Sequence, residues 1–216
     1  MGQSSRLFPR FSIAVATVVL VLAGCAPLPK DDTALPAGLV GKVAVIGEEA
    51  PDHARANMPA AVKAEGQGGL VRAVVVRLTE PVTVYRLWSG PQVVNDRGQT
   101  NRMGQWWSHD APSGPRETYR ADYEVCRAWN ELTWVATCTL RAGAVVAVGP
   151  GQSVSEETCG SPGESYPANA RLWQTYVDQA WARPEELDCP DPAADYPNHP
   201  ADIARPVLVP AALAAE

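Results

Sequence analysis

The chain lacks any apolar run long enough to cross a bilayer. Its longest, Phe11 to Ala23, has 13 residues, against roughly 20 for a spanning helix, so a permanent transmembrane helix is not expected. A basic surplus is missing too. Lys and Arg number 18 against 24 Asp and Glu, a formal charge of −6, the wrong sign for a nucleic-acid partner. Lysine is scarce (Lys30, Lys42 and Lys63) beside abundant Ala, Arg and Pro, a bias of genome composition. The three histidines, His53, His109 and His199, lie far apart and no C-x-x-C pair occurs, so no metal site is expected. Among hydrolase signals, G-x-S-x-G is absent: Gly151-Gln152-Ser153-Val154-Ser155 comes nearest and lacks the second glycine of a nucleophile elbow. Ser108-His109-Asp110 has triad residues, but neighbours in sequence cannot form the relay of side chains that a triad needs. A P-loop and a dinucleotide G-x-G-x-x-G are both missing. These absences remove most common enzyme classes.

What is present begins with Arg6 and Arg10, the apolar run, and then Leu22-Ala23-Gly24-Cys25. A basic segment, an apolar core and small residues at a cut site describe an export signal over residues 1–24. Leu-Ala-Gly-Cys resembles the lipobox of bacterial lipoproteins. The resemblance implies diacylglyceryl transfer to Cys25, cleavage before it and acylation of the new amino terminus. Each buried methylene contributes about 0.8 kcal/mol, so two or three fatty chains hold a protein on a membrane where one does not. Ala26 follows the cysteine in place of Asp. By resemblance to the sorting rule of Gram-negative lipoproteins, this implies a lipid anchor in the outer membrane, facing the periplasm. Removing residues 1–24 takes away two arginines and no acids, leaving 16 basic and 24 acidic residues and a formal −8.

Four further cysteines, Cys126, Cys138, Cys159 and Cys189, read as two disulfides in an oxidising compartment. Of three possible connectivities the expected one is Cys126–Cys138 with Cys159–Cys189, the first closing a short local loop and the second tying down the tail. Residues 25–67 are expected to be the lipidated cysteine followed by a mostly flexible tether, with Pro27, Pro29 and Pro36 between acids. Within it Val43 to Ile46 suits a short strand and Asp52 to Glu65 a helix interrupted at Pro59. The organised domain is expected over residues 68–182. Val71 to Leu78 and the alternating Val82 to Trp88 read as strands, as do Gln105 to Ser108, Thr133 to Arg141, the continuously apolar Ala144 to Val148, and Leu172 to Trp181. Arg116 to Trp129 permits a helical face or a short strand, with helix preferred. After Arg183, prolines at 184, 190, 192, 197, 200, 206 and 210 suggest an extended, mobile tail over 183–216. The fold class expected is α+β: a small split antiparallel sheet with one or two short helices, stapled by disulfides.

One order of elements carries a possible chemistry. Val84-Tyr85-Arg86-Leu87-Trp88-Ser89-Gly90 is followed by Gly104-Gln105-Trp106-Trp107-Ser108, by Arg116 and Arg120, by Ala142 to Pro150, and by Trp173-Gln174-Thr175-Tyr176-Val177. Over residues 82–178 this resembles the split-sheet cores of NAD-consuming bacterial toxins, both ADP-ribosyltransferase-like domains and NAD glycohydrolases of the tuberculosis necrotising toxin type. The resemblance implies NAD as a substrate. Arg86 and Arg116 or Arg120 would meet its pyrophosphate, Trp106 and Trp107 would wall the nicotinamide, and Ser108 would hold the amide. Gln174 would face the ribose, where oxocarbenium character develops. The chain departs from that pattern in having no Glu on the strand near Gln174; Glu156 and Glu157 lie in the preceding loop.

Each residue also has a plainer reading: Arg86 as a paired surface side chain, Gln174 as a cross-strand hydrogen bond, and Trp106 and Trp107 facing opposite ways because adjacent strand residues do. Two functions follow. The preferred one is a membrane-anchored envelope lipoprotein whose domain, without catalysis and with no cofactor, binds an envelope protein or a small polar ligand through exposed aromatic and arginine side chains. The alternative is a toxin-type enzyme that cleaves NAD or transfers ADP-ribose. An enzyme requires Arg86, Ser108 and Gln174 around one pocket; a binding surface does not.

Overall fold

The computed structural model describes residues 35–198. The expected signal segment and lipidated Cys25 lie outside the described residues. Nine strands form one antiparallel sheet: β1 (Val43–Val45), β2 (Val74–Leu78), β3 (Val82–Trp88), β4 (Trp106–Ser108), β5 (Trp134–Leu140), β6 (Val145–Gly151), β7 (Asn169–Tyr176), β8 (Leu187–Asp188) and β9 (Tyr196–Pro197). Three short helices accompany them: α1 (Met58–Ala61), α2 (Arg116–Asp122) and α3 (Glu156–Cys159). The strands run in the order β1-β2-β6-β7-β4-β3-β5-β8, with β9 also paired to β5. The protein is α+β, with an antiparallel sheet, few helices and two disulfides.

The sheet is covered on both faces along β6, whereas on β3 Thr83 is exposed between the buried Val82 and Val84, and the sequence pattern follows from that. Val82, Val84, Cys138, Leu140, Val146 and Val148 share one core with Trp107 and Val177. On another core Val75, Val145, Ala147 and Tyr176 pack with Ala56, Ala61 and Leu70. β6 lies between β2 and β7 and is buried along its whole length, which explains why its apolar run does not alternate. β3 and β5 pair over seven positions, from Val82 with Leu140 to Trp88 with Trp134.

The folded body extends beyond residues 68–182 at both ends. Residues 35–67, expected to be largely flexible tether, contribute Leu39, 1% exposed in the main core, and β1, paired to β2 from Val43↔Leu78 to Val45↔Val76. The helix expected over Asp52 to Glu65 is two pieces, a 3₁₀ turn at His53–Ala56 and then α1, separated by Asn57 in a left-handed conformation. Pro59 falls in the first turn of α1, where its missing N–H is harmless. The helix expected to reach Trp129 ends at Asp122, with Tyr123 as its cap and Glu124 at a φ of 49°.

At the other end the expected mobile tail is docked as far as Asn198. Leu187 pairs with Leu140 and Tyr196 with Val135. Arg102, in the β3–β4 connection, grips Asp195 with two hydrogen bonds of 2.6 and 2.9 Å and donates a third to the Pro190 carbonyl. Both partners are buried. Prolines that forbid a helix do not forbid an edge strand.

The disulfides are Cys126–Cys159 and Cys138–Cys189, which corrects the expected pairing of Cys126 with Cys138 and of Cys159 with Cys189. Strand register is the reason. β5 and β8 run antiparallel with Leu140 opposite Leu187 and Thr139 opposite Asp188, so the next step brings Cys189 against Cys138, at a Cα separation of 4.4 Å. Cys126 lies in the loop after α2 and packs with Val154 and Cys159 of the α3 region. Proximity in sequence favours a local loop, but Cys138 sits mid-strand with its side chain in the main core. Non-reducing peptide mapping should recover the 126–159 and 138–189 links. Arg102→Ala should lower the unfolding free energy by about 3 kcal/mol, because it leaves the Asp195 carboxylate buried and unpaired; guanidinium denaturation with the disulfides intact measures this.

Candidate functional site

The three-residue β4 is the seam of the sheet. It pairs with β7 over Trp106↔Tyr176, Trp107↔Thr175 and Ser108↔Gln174, but with β3 only at Tyr85↔Ser108. Beside this seam lies a cavity of about 130 Å³. β3 contributes Arg86, β4 Ser108 and Trp106, β7 Gln174, and α2 with its following loop Tyr119 and Glu124. Five of the seven residues singled out from sequence, Arg86, Trp106, Trp107, Ser108 and Gln174, border this one pocket.

Arg116 and Arg120 do not line it. Arg120 is 3% exposed and donates to the carbonyls of Val125 and Asn130, so it holds the loop that walls the pocket. Arg116 donates to the Asn198 carbonyl and anchors the tail. Buried backbone carbonyls need donors as much as any ligand does, and a loop leaving a short helix offers several.

Arg86 lies flat against Gly104, where a Cβ would come 2.1 Å from Nη2. Its Nε and Nη2 donate to the Asn101 carbonyl at 3.2 and 3.0 Å, and Nη1 donates to the Trp106 carbonyl at 3.0 Å. The third bond ties β3 to β4 where the strand ladder has a single paired position. Burial lowers the Arg86 guanidinium to about 10, partly opposed by Tyr119. The two tryptophans divide as adjacent strand residues must. Trp107 is in the main core, with its indole N–H on the Gly104 carbonyl. Trp106 is half-buried, its ring 4.8 Å from that of Tyr176.

The carboxylate that sequence reasoning sought near Gln174 is present, from another element. Glu124 is 3% exposed; its Oε2 accepts from Gln174 Nε2 at 3.1 Å and its Oε1 from the Asn169 backbone N–H at 2.8 Å. Gly151, on the neighbouring strand, makes this approach possible: a Cβ there would lie 1.9 Å from Oε2. Burial raises the Glu124 carboxyl to about 8, opposed by the Asn169 N–H, reinforced by Asp122 and opposed again by Gln174. Glu156 and Glu157 are exposed on α3 and take no part in the pocket. Nothing in the sequence marks Glu124, because its position follows from a left-handed residue just after a helix end. Tyr119 and Tyr123 stack near it with ring centroids 4.4 Å apart, and burial raises both phenols.

Ser108, His109 and Asp110 form no relay. The Ser108 hydroxyl lies within hydrogen-bond reach of the Tyr85 and Asp110 carbonyls, and His109 Nε2 contacts the Thr175 hydroxyl at 2.8 Å. Burial lowers His109 to about 4, so it is a neutral structural imidazole at neutral pH. The pocket therefore holds one guanidinium at one side and a carboxyl–amide pair at another, between aromatic rings.

No protein-family model matches the chain, and no curated protein or solved structure matches it significantly. The Glu124 geometry has a measurable consequence. A carboxyl raised on folding binds a proton that the unfolded chain has released, so stability should fall as pH rises from about 4.5 to 8, by at most about 1.4 kcal/mol per unit. Glu124→Gln preserves the shape without the charge and should flatten that slope; denaturant unfolding at pH 5, 6.5 and 8 reads it.

Proposed function

We propose that this chain is an envelope lipoprotein, acylated at Cys25 and held on the periplasmic face of the outer membrane, whose domain binds one small polar ligand in the pocket beside β4 without transforming it. The observation that carries the binding reading is the convergence of Arg86, Ser108, Gln174 and Glu124 on a single cavity. Few polar groups set among aromatic rings are what fix a small ligand's orientation. A cavity of about 130 Å³ suits one ring and its substituents, since an apolar cavity of about 150 Å³ holds benzene. A whole dinucleotide would have to lie mostly outside it. Arg116 and Arg120 are held by backbone carbonyls, which argues against pyrophosphate binding. The lipobox-like Leu22-Ala23-Gly24-Cys25 supports the anchor and its compartment.

A second reading, cleavage of NAD or transfer of its ADP-ribose, is favoured by one observation: a carboxyl, Glu124, beside the amide of Gln174 at the same pocket. An ionised carboxylate there would stabilise an oxocarbenium-like ribose. Against it, burial holds Glu124 largely protonated at neutral pH.

Two experiments separate these statements. Cys25→Ser should move the protein from the membrane fraction to the soluble one; membrane partitioning of the variant unchanged from the parent would refute the anchor. Detergent-solubilised full-length protein mixed with NAD should release nicotinamide no faster than a buffer control. Sustained release, abolished by Glu124→Gln, would establish the enzymatic reading instead.

A further inference from the structure

The pocket's polar groups are unevenly matched in charge. Glu124 has its own donors, from Asn169 and Gln174. Arg86 has three hydrogen bonds, all to carbonyl oxygens, and carbonyls do not neutralise a cation. Among the described residues no carboxylate forms an ion pair with it, whereas Arg102 and Arg183 each pair with an acid. A guanidinium carries five N–H groups, so one on each terminal nitrogen of Arg86 remains after its three bonds. A cation removed from water without a counter-ion is destabilising, and it becomes favourable once an anion arrives with matching geometry.

The remaining lining supplies the rest of a recognition site. The phenol of Tyr119 and the hydroxyl of Ser108 line the same cavity. Trp106 offers an aromatic wall. The one carboxyl in the lining, Glu124, is kept largely protonated at neutral pH by its burial, so it does not repel a second negative group.

We infer that the ligand of this pocket is a small anion, a carboxylate borne on a single flat ring, whose charge is neutralised by Arg86 while the ring lies against Trp106 and the tyrosines. The inference rests on the binding reading above and goes further in fixing the ligand's charge. It also sets this pocket apart from a nicotinamide site, because it selects an acid over the amide of the same shape.

The test uses acid–amide pairs of nearly equal size: benzoate against benzamide and nicotinate against nicotinamide. Each is titrated into detergent-solubilised full-length protein by calorimetry and by thermal shift. Benzoate should bind at least tenfold more tightly than benzamide, and nicotinate than nicotinamide. In Arg86→Gln the preference should vanish; in Arg86→Lys, which keeps the charge, acid should still exceed amide. The unaltered protein with the two pairs decides the matter even if Arg86→Gln fails to fold. Equal or tighter binding of the amides would overturn the inference and leave the pocket reading standing. No binding of acid or amide at millimolar concentration would remove the pocket reading and this inference together. An acid preference surviving in folded Arg86→Gln would show that the cation is elsewhere and overturn the assignment.

Discussion

Three residues, Trp106–Ser108, carry the strand pairing between the two sides of the sheet, with β1, β2, β6 and β7 on one side and β3, β5, β8 and β9 on the other. Toward β3 this bridge has one paired position, far fewer than the seven between β3 and β5. The connection holds because other interactions supplement the ladder. Trp107 is buried in the main core, Arg86 reaches across to the Trp106 carbonyl, and Ser108 sits against Tyr85. A short strand at the middle of a sheet leaves room beside it, and that room is the pocket. Seam and site are the same place.

Arginine does much of the structural work that strand pairing leaves undone. Arg102 holds the tail through Asp195 and the Pro190 carbonyl. Arg120 fixes the loop after α2 through two carbonyls. Arg183 binds the Val145 carbonyl and Glu186, which Arg55 also contacts. A planar, permanently charged fork suits such multi-carbonyl positions better than a lysine ammonium does, and the chain is rich in arginine and poor in lysine. Within this set Arg86 stands out, because it alone combines carbonyl contacts, no ion pair among the described residues and a place in the cavity lining.

The disulfides join parts that would otherwise be held weakly. Cys138–Cys189 fastens the returning tail to β5. Cys126–Cys159 ties the loop two residues beyond Glu124 to α3. In the chain-entropy account closures of 33 and 51 residues contribute about 3–4 kcal/mol each. Cys138–Cys189 keeps the tail available to Arg102, and Cys126–Cys159 supports the wall that brings Glu124 to Gln174.

The sequence by itself determined the elements whose patterns are local. Alternation in Val82–Trp88 and in Trp134–Leu140, the unbroken apolar run of β6, and the antiparallel α+β class were all legible, because side-chain period reflects which faces are covered. Five residues named through a resemblance, Arg86, Trp106, Trp107, Ser108 and Gln174, fall in the lining of one cavity. Tertiary structure alone decided the rest. The two-residue strands β8 and β9 leave no period to read. The disulfide pairing depended on the β5–β8 register, and the docking of the tail on Arg102, 93 residues from Asp195. Glu124 became part of the site only because a left-handed turn aimed it at a glycine on another strand. Local periodicity records burial, whereas partners far apart in the chain are chosen by register and space, which no short stretch of sequence contains.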